Sequence, residues 1–466
     1  MTEHRIQIAP NEIRQCLDDE SLRDWVAQQR WYASKSRAVT GIDIVEGIAL
    51  TEKLYLALVQ TRFATGTHEL YQLPLILRPA DADSGTGEPV ASTSQWSAYD
   101  ALVEPDELVE LVARMDSGSE IDAGEGNFSF HRVDGAQSIS REAQVRPVGV
   151  EQSNSSLVVD ERLMLKVFRK LEPGINPELE MLRFLTAHRF ANIASLYGWY
   201  GYDGQALNAT LGVAQDFLPS AQDGWSLATH EIAHDPEAFL DRLGSLGAVT
   251  AQMHTVLASD NSDADFAPEE PSQEALSLLT ATVDEDIERM FLRLPDDERL
   301  APIAGRGQDV RERLAARASI GVGGRVIRTH GDYHLGQTLY TPQGWVIIDF
   351  EGEPARPLPE RRQKRSPLRD VAGMLRSFAY ASSALEIQSG QAAPADFEAR
   401  ARDAFLDQYF AVIDMSLLPS GESAIMNLLS IFELEKAIYE LGYELDNRPD
   451  WVSIPVAGIC RLLEAV

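Results

Sequence analysis

Only two cysteines, Cys16 and Cys460, occur in 466 residues, and they lie almost a full chain apart. They make no CxxC pair and no zinc-ligand spacing, which excludes a cysteine-built metal site and a disulfide framework. Free buried thiols are the expectation. Long apolar runs are also missing: no stretch approaches the roughly 18 uninterrupted apolar residues that a membrane-spanning helix needs. The opening MTEHRIQIAP has no basic segment followed by an apolar one, so no secretory signal is read there and a cytoplasmic location is expected. Basic residues are scarce, 41 Lys and Arg against 72 Asp and Glu, for a net charge of -31. Such a field repels nucleic acid and anionic membranes, so neither is expected as a partner. Any site for an anionic ligand must therefore assemble its own local cations.

What is present is an ordinary globular composition, 44% apolar and 24% charged. The length exceeds what one compact core accommodates and predicts two or three domains. Residues 1–92 read as a small unit of their own. A helix over Glu12–Gln29 leads to Trp31 and Tyr32. Leu54, Leu56 and Leu58 then share one face of a strand, and after the turn Ala64–Thr67 the segment Leu70–Leu73 returns. The polar, Gly- and Asp-rich stretch Asp81–Ser94 reads as a linker or mobile loop. Residues 93–217 are mixed: Gln152–Phe168 is a strand, a two-residue turn at Asp160-Glu161 and a second strand, and Asn176-Pro177 opens a helix. Residues 218–466 are mostly helical, interrupted by short apolar strands at Val326-Ile327 and Trp345–Ile348, with a second acidic loop over Asp260–Glu274. There is no internal repeat.

The strongest chemical signal is Thr329–Gln337, which contains HGDYHLGQ, followed by Asp349-Phe350-Glu351 at the end of the apolar run. Phosphoryl transfer needs a carboxylate that accepts a hydrogen bond from the attacking hydroxyl, and magnesium bridging the phosphate oxygens. Magnesium takes hard oxygen ligands, which carboxylates and amides supply. Asp332 sits on a loop, an amide oxygen follows at Gln337, and a hairpin over Thr341-Pro342-Gln343-Gly344 would return Asp349 beside them. The catalytic Asp, metal-binding amide and metal-binding Asp recur in this order in protein-kinase-like folds. A lone HGD occurs often by chance; the full pattern with its hairpin and DFE does not. His330 reads as a histidine supporting the loop, and His334 as a substrate contact.

The same chemistry needs a strand lysine for the phosphates and an acid on the next helix to hold it. Lys166 lies in the apolar strand Leu163–Phe168, with Glu178 and Glu180 in the helix that follows. Glu178 is the favoured partner and Glu180 the alternative. No Walker motif and no GxGxxG loop precede the strand. Ser153, Asn154, Ser155 and Ser156 occupy the hairpin mouth instead, where they would meet phosphates or serve only as turn formers. Gly321, Gly323 and Gly324 precede a strand and read as loop.

On these residues the chain resembles the maltokinases of the aminoglycoside-phosphotransferase-like kinase superfamily. The matching stretches are WYASKSR (31–37), EQSNSSLVV (151–159), LKVFRKLEPGINPELE (165–180), VAQDFLPSAQDGW (213–225), HGDYHLGQ (330–337), the long run from Asp349 to Phe378, and KAIYELGYELDNRPDW (436–451). The resemblance implies an α+β, bilobal protein-kinase-like fold with an N-terminal cap, an ATP-binding intermediate subdomain and a mostly helical C-lobe. It implies transfer of the ATP γ-phosphate, with Mg2+, to the anomeric hydroxyl of maltose, giving maltose 1-phosphate for glycogen-type α-glucan synthesis. A glucosamine or other monosaccharide kinase is the alternative on the same scaffold. Asp332 would be the base, Gln337 and Asp349 the metal ligands, Lys166 a phosphate ligand, and 213–218, with Gln215 and Phe217, the adenine hinge. Most of the superfamily carries Asn where this chain has Gln337. The implied protein is a monomer whose partners are the sugar and ATP, with association to trehalose synthase known among relatives.

A disaccharide needs a wide polar pocket with aromatic platforms. Lys436, Tyr439, Glu440, Tyr443 and Glu444 fall at helical spacing on one face, where they would contact sugar hydroxyls or form intrahelical pairs such as Lys436–Glu440. Trp451 and Arg448 would close the pocket or cap the helix end that Pro449 marks. Ser366-Pro367 reads as a helix N-cap followed by proline at the first turn. Arg376 on that helix would reach the substrate or pair with Asp370 or another acid. The basic run Arg361, Arg362, Lys364 and Arg365 reads as a solvated loop.

Overall fold

The computed structural model describes residues 19–32, 34–80, 87–148, 154–318 and 323–464. The chain divides into two compact units, 1–183 with 194–219, and 184–193 with 220–466.

In the first unit, helix α1 (Asp19–Gln28) packs on an antiparallel sheet. Its strands are β1 (Val39–Ala49), β2 (Leu54–Phe63), β3 (His68–Pro79), β4 (Ala91–Ser92) and β5 (Trp96–Asp100), in the order β1-β2-β3-β5-β4. The predicted opening helix begins at Asp19 among the described residues; Glu12 and Cys16 lie outside them. β2 is buried on both faces, because Tyr55, Ala57 and Val59 pack with Leu22, Val26, Trp31 and Tyr32 while Leu54, Leu56 and Leu58 fill the opposite side. Simple alternation hides this: a strand covered on both faces reads as a continuous apolar run.

Helix α2 (Val109–Ser117) leads into a second antiparallel sheet. It contains β6 (Glu120–Asp122), β7 (Gly126–Arg132), β8 (Val145–Pro147), β9 (Asn154–Val159) and β10 (Leu163–Phe168). Beyond the short β11 (Lys170–Leu171) and helix α3 (Pro177–Ala187) come β12 (Leu196–Gly204) and β13 (Asn208–Asp216). The order is β6-β7-β12-β13-β10-β9-β8, and β11 pairs with β3 to tie the two sheets together. Between β9 and β10, Asp160 and Glu161 both take positive φ and the Arg162 N–H donates to Val159 O at 3.1 Å, the type I′ turn that suits strand twist. Behind β10, Arg169 is fully buried; its Nη2 donates to Asp100 Oδ2 at 2.5 Å and its Nε to Ser155 Oγ at 3.0 Å.

The second unit is helical: α4 (Gly224–His234), α5 (Pro236–Leu257), α6 (Gln273–Leu292), α7 (Gly307–Arg317), α8 (Leu368–Ser389), α9 (Phe397–Val412), α10 (Glu422–Asn447) and α11 (Ser453–Glu464). A small sheet, β14 (Gln222–Asp223), β15 (Thr338–Thr341) and β16 (Gly344–Ile347), carries the predicted hairpin. Val326 and Ile327 make single bridges, to Glu269 and Arg365, rather than a strand. α8 starts at Leu368, two residues beyond Ser366, whose Oγ still accepts from the Leu368 N–H at 3.4 Å. Of the loop glycines, Gly321 lies outside the described residues. Cys460 is a free thiol, half-buried rather than buried. No helix among the described residues is long and apolar enough to cross a membrane.

Candidate functional site

In the first unit, the amine of Lys166 donates to Glu178 Oε1 at 2.6 Å, and Glu178 is fully buried. That resolves the choice between Glu178 and Glu180. Asn176 starts the helix, its Oδ1 accepting from the Glu178 N–H at 2.8 Å, so the cap and the ion pair are set by neighbouring residues. Register places Ser156 opposite Lys166 and Asn154 opposite Phe168, so these two share the lysine's face of the sheet. Ser155 faces the other way. It is buried and accepts from Arg169, which corrects its reading as a phosphate contact: a strand's side chains alternate, so three successive serine and asparagine residues cannot all face one ligand. Ser153 lies outside the described residues. Gln215 is buried between Met164 and Leu196, whereas Phe217, just past the last strand pair, donates its N–H to Arg162 O at 2.7 Å.

In the second unit, the HGD loop is held by its neighbours at every turn. Asp370, buried at the start of α8, accepts from the N–H groups of His330 at 2.8 Å and Gly331 at 3.0 Å. It also meets His254 Nε2 at 3.1 Å, and His254 Nδ1 meets the Tyr409 hydroxyl at 3.0 Å. Burial pushes the Asp370 carboxyl upward, but His254, the nearby His330 and the Gly331 N–H outweigh it and hold the group below the usual carboxylate range. Gly331 has φ of 87°, a left-handed conformation natural to glycine. Gly373 lets the loop lie against α8, since a Cβ there would be 2.6 Å from Tyr333 O.

His330 supports the loop as expected. Its Nδ1 accepts from the Asp332 N–H at 3.4 Å and its Nε2 donates to Ile348 O at 2.9 Å. The ring thus links the loop to the end of the hairpin, where the Ile348 N–H donates to Gln337 O at 3.1 Å. Asp349 follows in a left-handed conformation, φ 65°, which is rare for a residue with a side chain and is held by these flanking bonds. Its carboxylate lies within 4.8 Å of that of Glu351. Sequence reading missed Glu351, although the DFE triplet already placed a second acid two residues on. Gln337, Asp349 and Glu351 offer only oxygen donors from one short stretch of backbone, a set suited to magnesium.

His334 Nδ1 accepts from the Gly336 N–H at 3.1 Å, which leaves its Nε2 facing Asp332 Oδ2 at 3.9 Å. Burial lowers its pKa, with Asp332 and Asp349 opposing, so both carboxylates act on one imidazole. Asp332 Oδ1 lies 3.6 Å from the Lys436 amine, which is also 3.6 Å from Glu353 Oε1.

Beside this loop opens a cavity of about 410 Å³, lined by Gly331 and Tyr333 on either side of Asp332 and by residues of α6 and α10. Its size falls in the roughly 300–1,000 Å³ range of small-molecule sites. Lys436, Tyr439 and Tyr443 line it. Glu440 and Glu444 do not. At 3.6 residues per turn, Tyr439 and Tyr443 rotate about 60° and 20° to one side of Lys436, and Glu440 and Glu444 about 40° and 80° to the other. Glu440 therefore meets Arg376 of α8, at 2.9 and 2.7 Å, in a buried ion pair. Arg376 is correspondingly not a pocket residue; its pair is Glu440, not Asp370, and in place of the alternative intrahelical Lys436–Glu440 pair Lys436 meets Asp332 and Glu353. Glu444 accepts from the Tyr380 hydroxyl at 3.0 Å and pairs with Arg448, whose guanidinium covers Trp451 at 4.8 Å. Trp451 thus closes the helix end rather than the cavity. The basic run is not a solvated loop: Lys364 reaches Glu269 at 2.5 Å and Arg361 donates to Glu351 O at 3.2 Å. Arg376→Ala should lower unfolding free energy by about 3 kcal/mol, because it strands a buried carboxylate. Denaturant titration measures this; an unchanged midpoint would show that Glu440 finds another partner.

Comparison with known proteins bears on this geometry. Residues 25–103 match the maltokinase N-terminal cap domain, and residues 144–406 match the phosphotransferase enzyme family. A glucosamine kinase of Streptacidiphilus jiangxiensis is 26% identical over 371 residues, 76% of this chain and 80% of the relative. A glucosamine kinase of Mycolicibacterium smegmatis is 26% identical over 334 residues, 68% of this chain and 79% of the relative. The structure of a glucosamine kinase in complex with glucosamine, ADP and inorganic phosphate superimposes with a TM-score of 0.69 at 20% identity, covering 94% of this chain and 98% of that one. At that identity the likeness establishes the shared fold.

Proposed function

This chain belongs to the phosphotransferase enzyme family and is an ATP-dependent sugar kinase with a kinase-like fold and a maltokinase-type cap; we propose that its acceptor is maltose, phosphorylated at the anomeric hydroxyl. The observation that carries the reading is Asp332 between Gly331 and Tyr333, two lining residues of a sugar-sized cavity, with Gln337 and Asp349 flanking the adjoining hairpin. The Asp332 carboxylate accepts a hydrogen bond from the acceptor hydroxyl and takes its proton as the oxygen attacks the γ-phosphorus. The bond from phosphorus to the bridging oxygen of ADP breaks in the same displacement. Gln337, Asp349 and Glu351 would supply oxygen ligands to magnesium, which would offset charge on the phosphates. Lys166, fixed by Glu178, holds the α- and β-phosphates, with Asn154 and Ser156 on the same sheet face and 213–218 as the adenine hinge. The reading carries with it a cytoplasmic monomer feeding α-glucan synthesis, with trehalose synthase the partner the resemblance suggests.

Two observations favour a neutral disaccharide over glucosamine. The cap matches that of maltokinases. The cavity lining is charge-balanced: Asp286, Glu353, Asp370, Glu435 and Asp446 face Arg289, Arg293, Arg356, Arg369 and Lys436. Among the acids, Asp286 pairs with Arg289, Glu353 with Lys436 and Arg369, and Glu435 with Arg369. Such a surface offers many hydrogen bonds and little net attraction for an amine. Purified enzyme should release ADP with maltose at a kcat/KM at least roughly tenfold above that with glucose, glucosamine or an aminoglycoside. Strong glucosamine turnover without maltose turnover would replace this acceptor by the amino sugar.

A further inference from the structure

Resting on the reading of the cavity as the acceptor site, we propose that Lys436 is a specificity-determining residue that bars ammonium-bearing sugars from the base and restricts the enzyme to neutral acceptors. The Lys436 amine stands between two carboxylates, 3.6 Å from Asp332 Oδ1 and 3.6 Å from Glu353 Oε1, with the Tyr439 ring centred 5.6 Å away. Glu353 is also faced by Arg369 at 3.8 Å and by Arg356. Glu435 is gripped by one guanidinium nitrogen of Arg369 at 2.9 and 3.0 Å. Asp332, Glu353 and Glu435 thus each already face a protein cation. Burial opposes the charge on Lys436, but Asp332, Glu353 and Glu440 outweigh it and keep the amine protonated.

When a sugar presents a hydroxyl to Asp332, an amine on the adjacent ring carbon must come within a few ångströms of this ammonium. The two like charges repel, and Asp332, Glu353 and Glu435, the acids that would offset the repulsion, are engaged. A hydroxyl in the same place meets no such conflict; it accepts from Lys436 and donates to Glu353. Specificity here comes from an unfavourable contact for the wrong substrate as much as from a favourable one for the right one.

The test compares glucosamine with glucose, which match in ring size and differ in charge, in ADP-release assays at saturating ATP. In Lys436→Met the ratio of kcat/KM for glucosamine over glucose should rise roughly 10- to 100-fold above wild type. In Lys436→Arg, which keeps the charge, the ratio should stay within about twofold of wild type. A Met variant with an unchanged ratio, or an Arg variant that rises as far as Met, overturns the proposal. If Lys436→Met abolishes turnover, calorimetric affinities of the two sugars for the full-length protein supply the same ratio, and an unchanged one overturns the proposal equally. Failure of the acceptor reading is separately visible: wild-type enzyme that turns over glucosamine and not maltose refutes that reading whatever the variants do.

Discussion

Asp332→Asn is expected to lower kcat by roughly 10²–10⁴-fold, the span that a positioned general base contributes. Asparagine is nearly isosteric, so the loop should keep its shape: on the Asp332 side, the contact with His330 Nδ1 is made by the backbone N–H alone. What is lost is the acceptor for the sugar's proton and the negative charge that faces Lys436. His334, the nearest other titratable group on the loop, does not substitute, because burial lowers its basicity and its Nδ1 is engaged by the Gly336 N–H. Acceptor KM should change far less than kcat, since the cavity lining is untouched. Steady-state ADP release with a parallel thermal melt measures both. Near-wild-type kcat would remove Asp332 from the role of base.

The second large effect is expected at a residue whose main contacts are with the HGD loop. Asp370→Ala should cost about 3–5 kcal/mol of stability and most of the activity. The carboxylate receives two backbone N–H groups of the HGD loop and stands against His254, with Asp370, His330 and His254 all buried. Removing it strands those donors and frees the loop that aims Asp332, and a misplacement of about 1 Å can cost on the order of 100-fold in rate. Asp370→Asn separates the two consequences. Its amide keeps one acceptor but turns an N–H against the second donor, so kcat should fall more than stability does. The sign of the pH effect follows from the lowered carboxyl. Its contribution is present above the unfolded-state value and is lost as pH falls through the folded-state one, so wild type should lose more stability than Asp370→Asn on acidification. Asp370→Asn with wild-type kcat, unfolding midpoint and acid sensitivity would show that the loop is held by other contacts.

How much of this is legible in the sequence differs from residue to residue. The hairpin β15–β16, the lysine on β10 and its acid on α3 are readable because each depends on local signals: period-two apolar patterning, a turn, a capped helix start. Glu178 over Glu180 is not decidable there, since both lie in the first turn and only the packing of α3 beneath β10 selects one. Ser155 is misassigned for want of the register that turns it away from its neighbours. The stripe on α10 is identifiable as a group, but the helical rotation that divides it acts only once α8 lies against one side and the cavity opens on the other.

The sequence by itself determined the chemistry: which acids, amide and lysine exist, in what order, on which elements, because these follow from short-range spacing and from side-chain type. The tertiary structure decided which charges are satisfied by protein and which remain for a ligand. Arg376 with Glu440, Arg369 with Glu435 and Lys436 with Asp332 and Glu353 join residues 64, 66, 104 and 83 positions apart. An ion pair of that kind depends on distance in space, to which local spacing along the chain is blind.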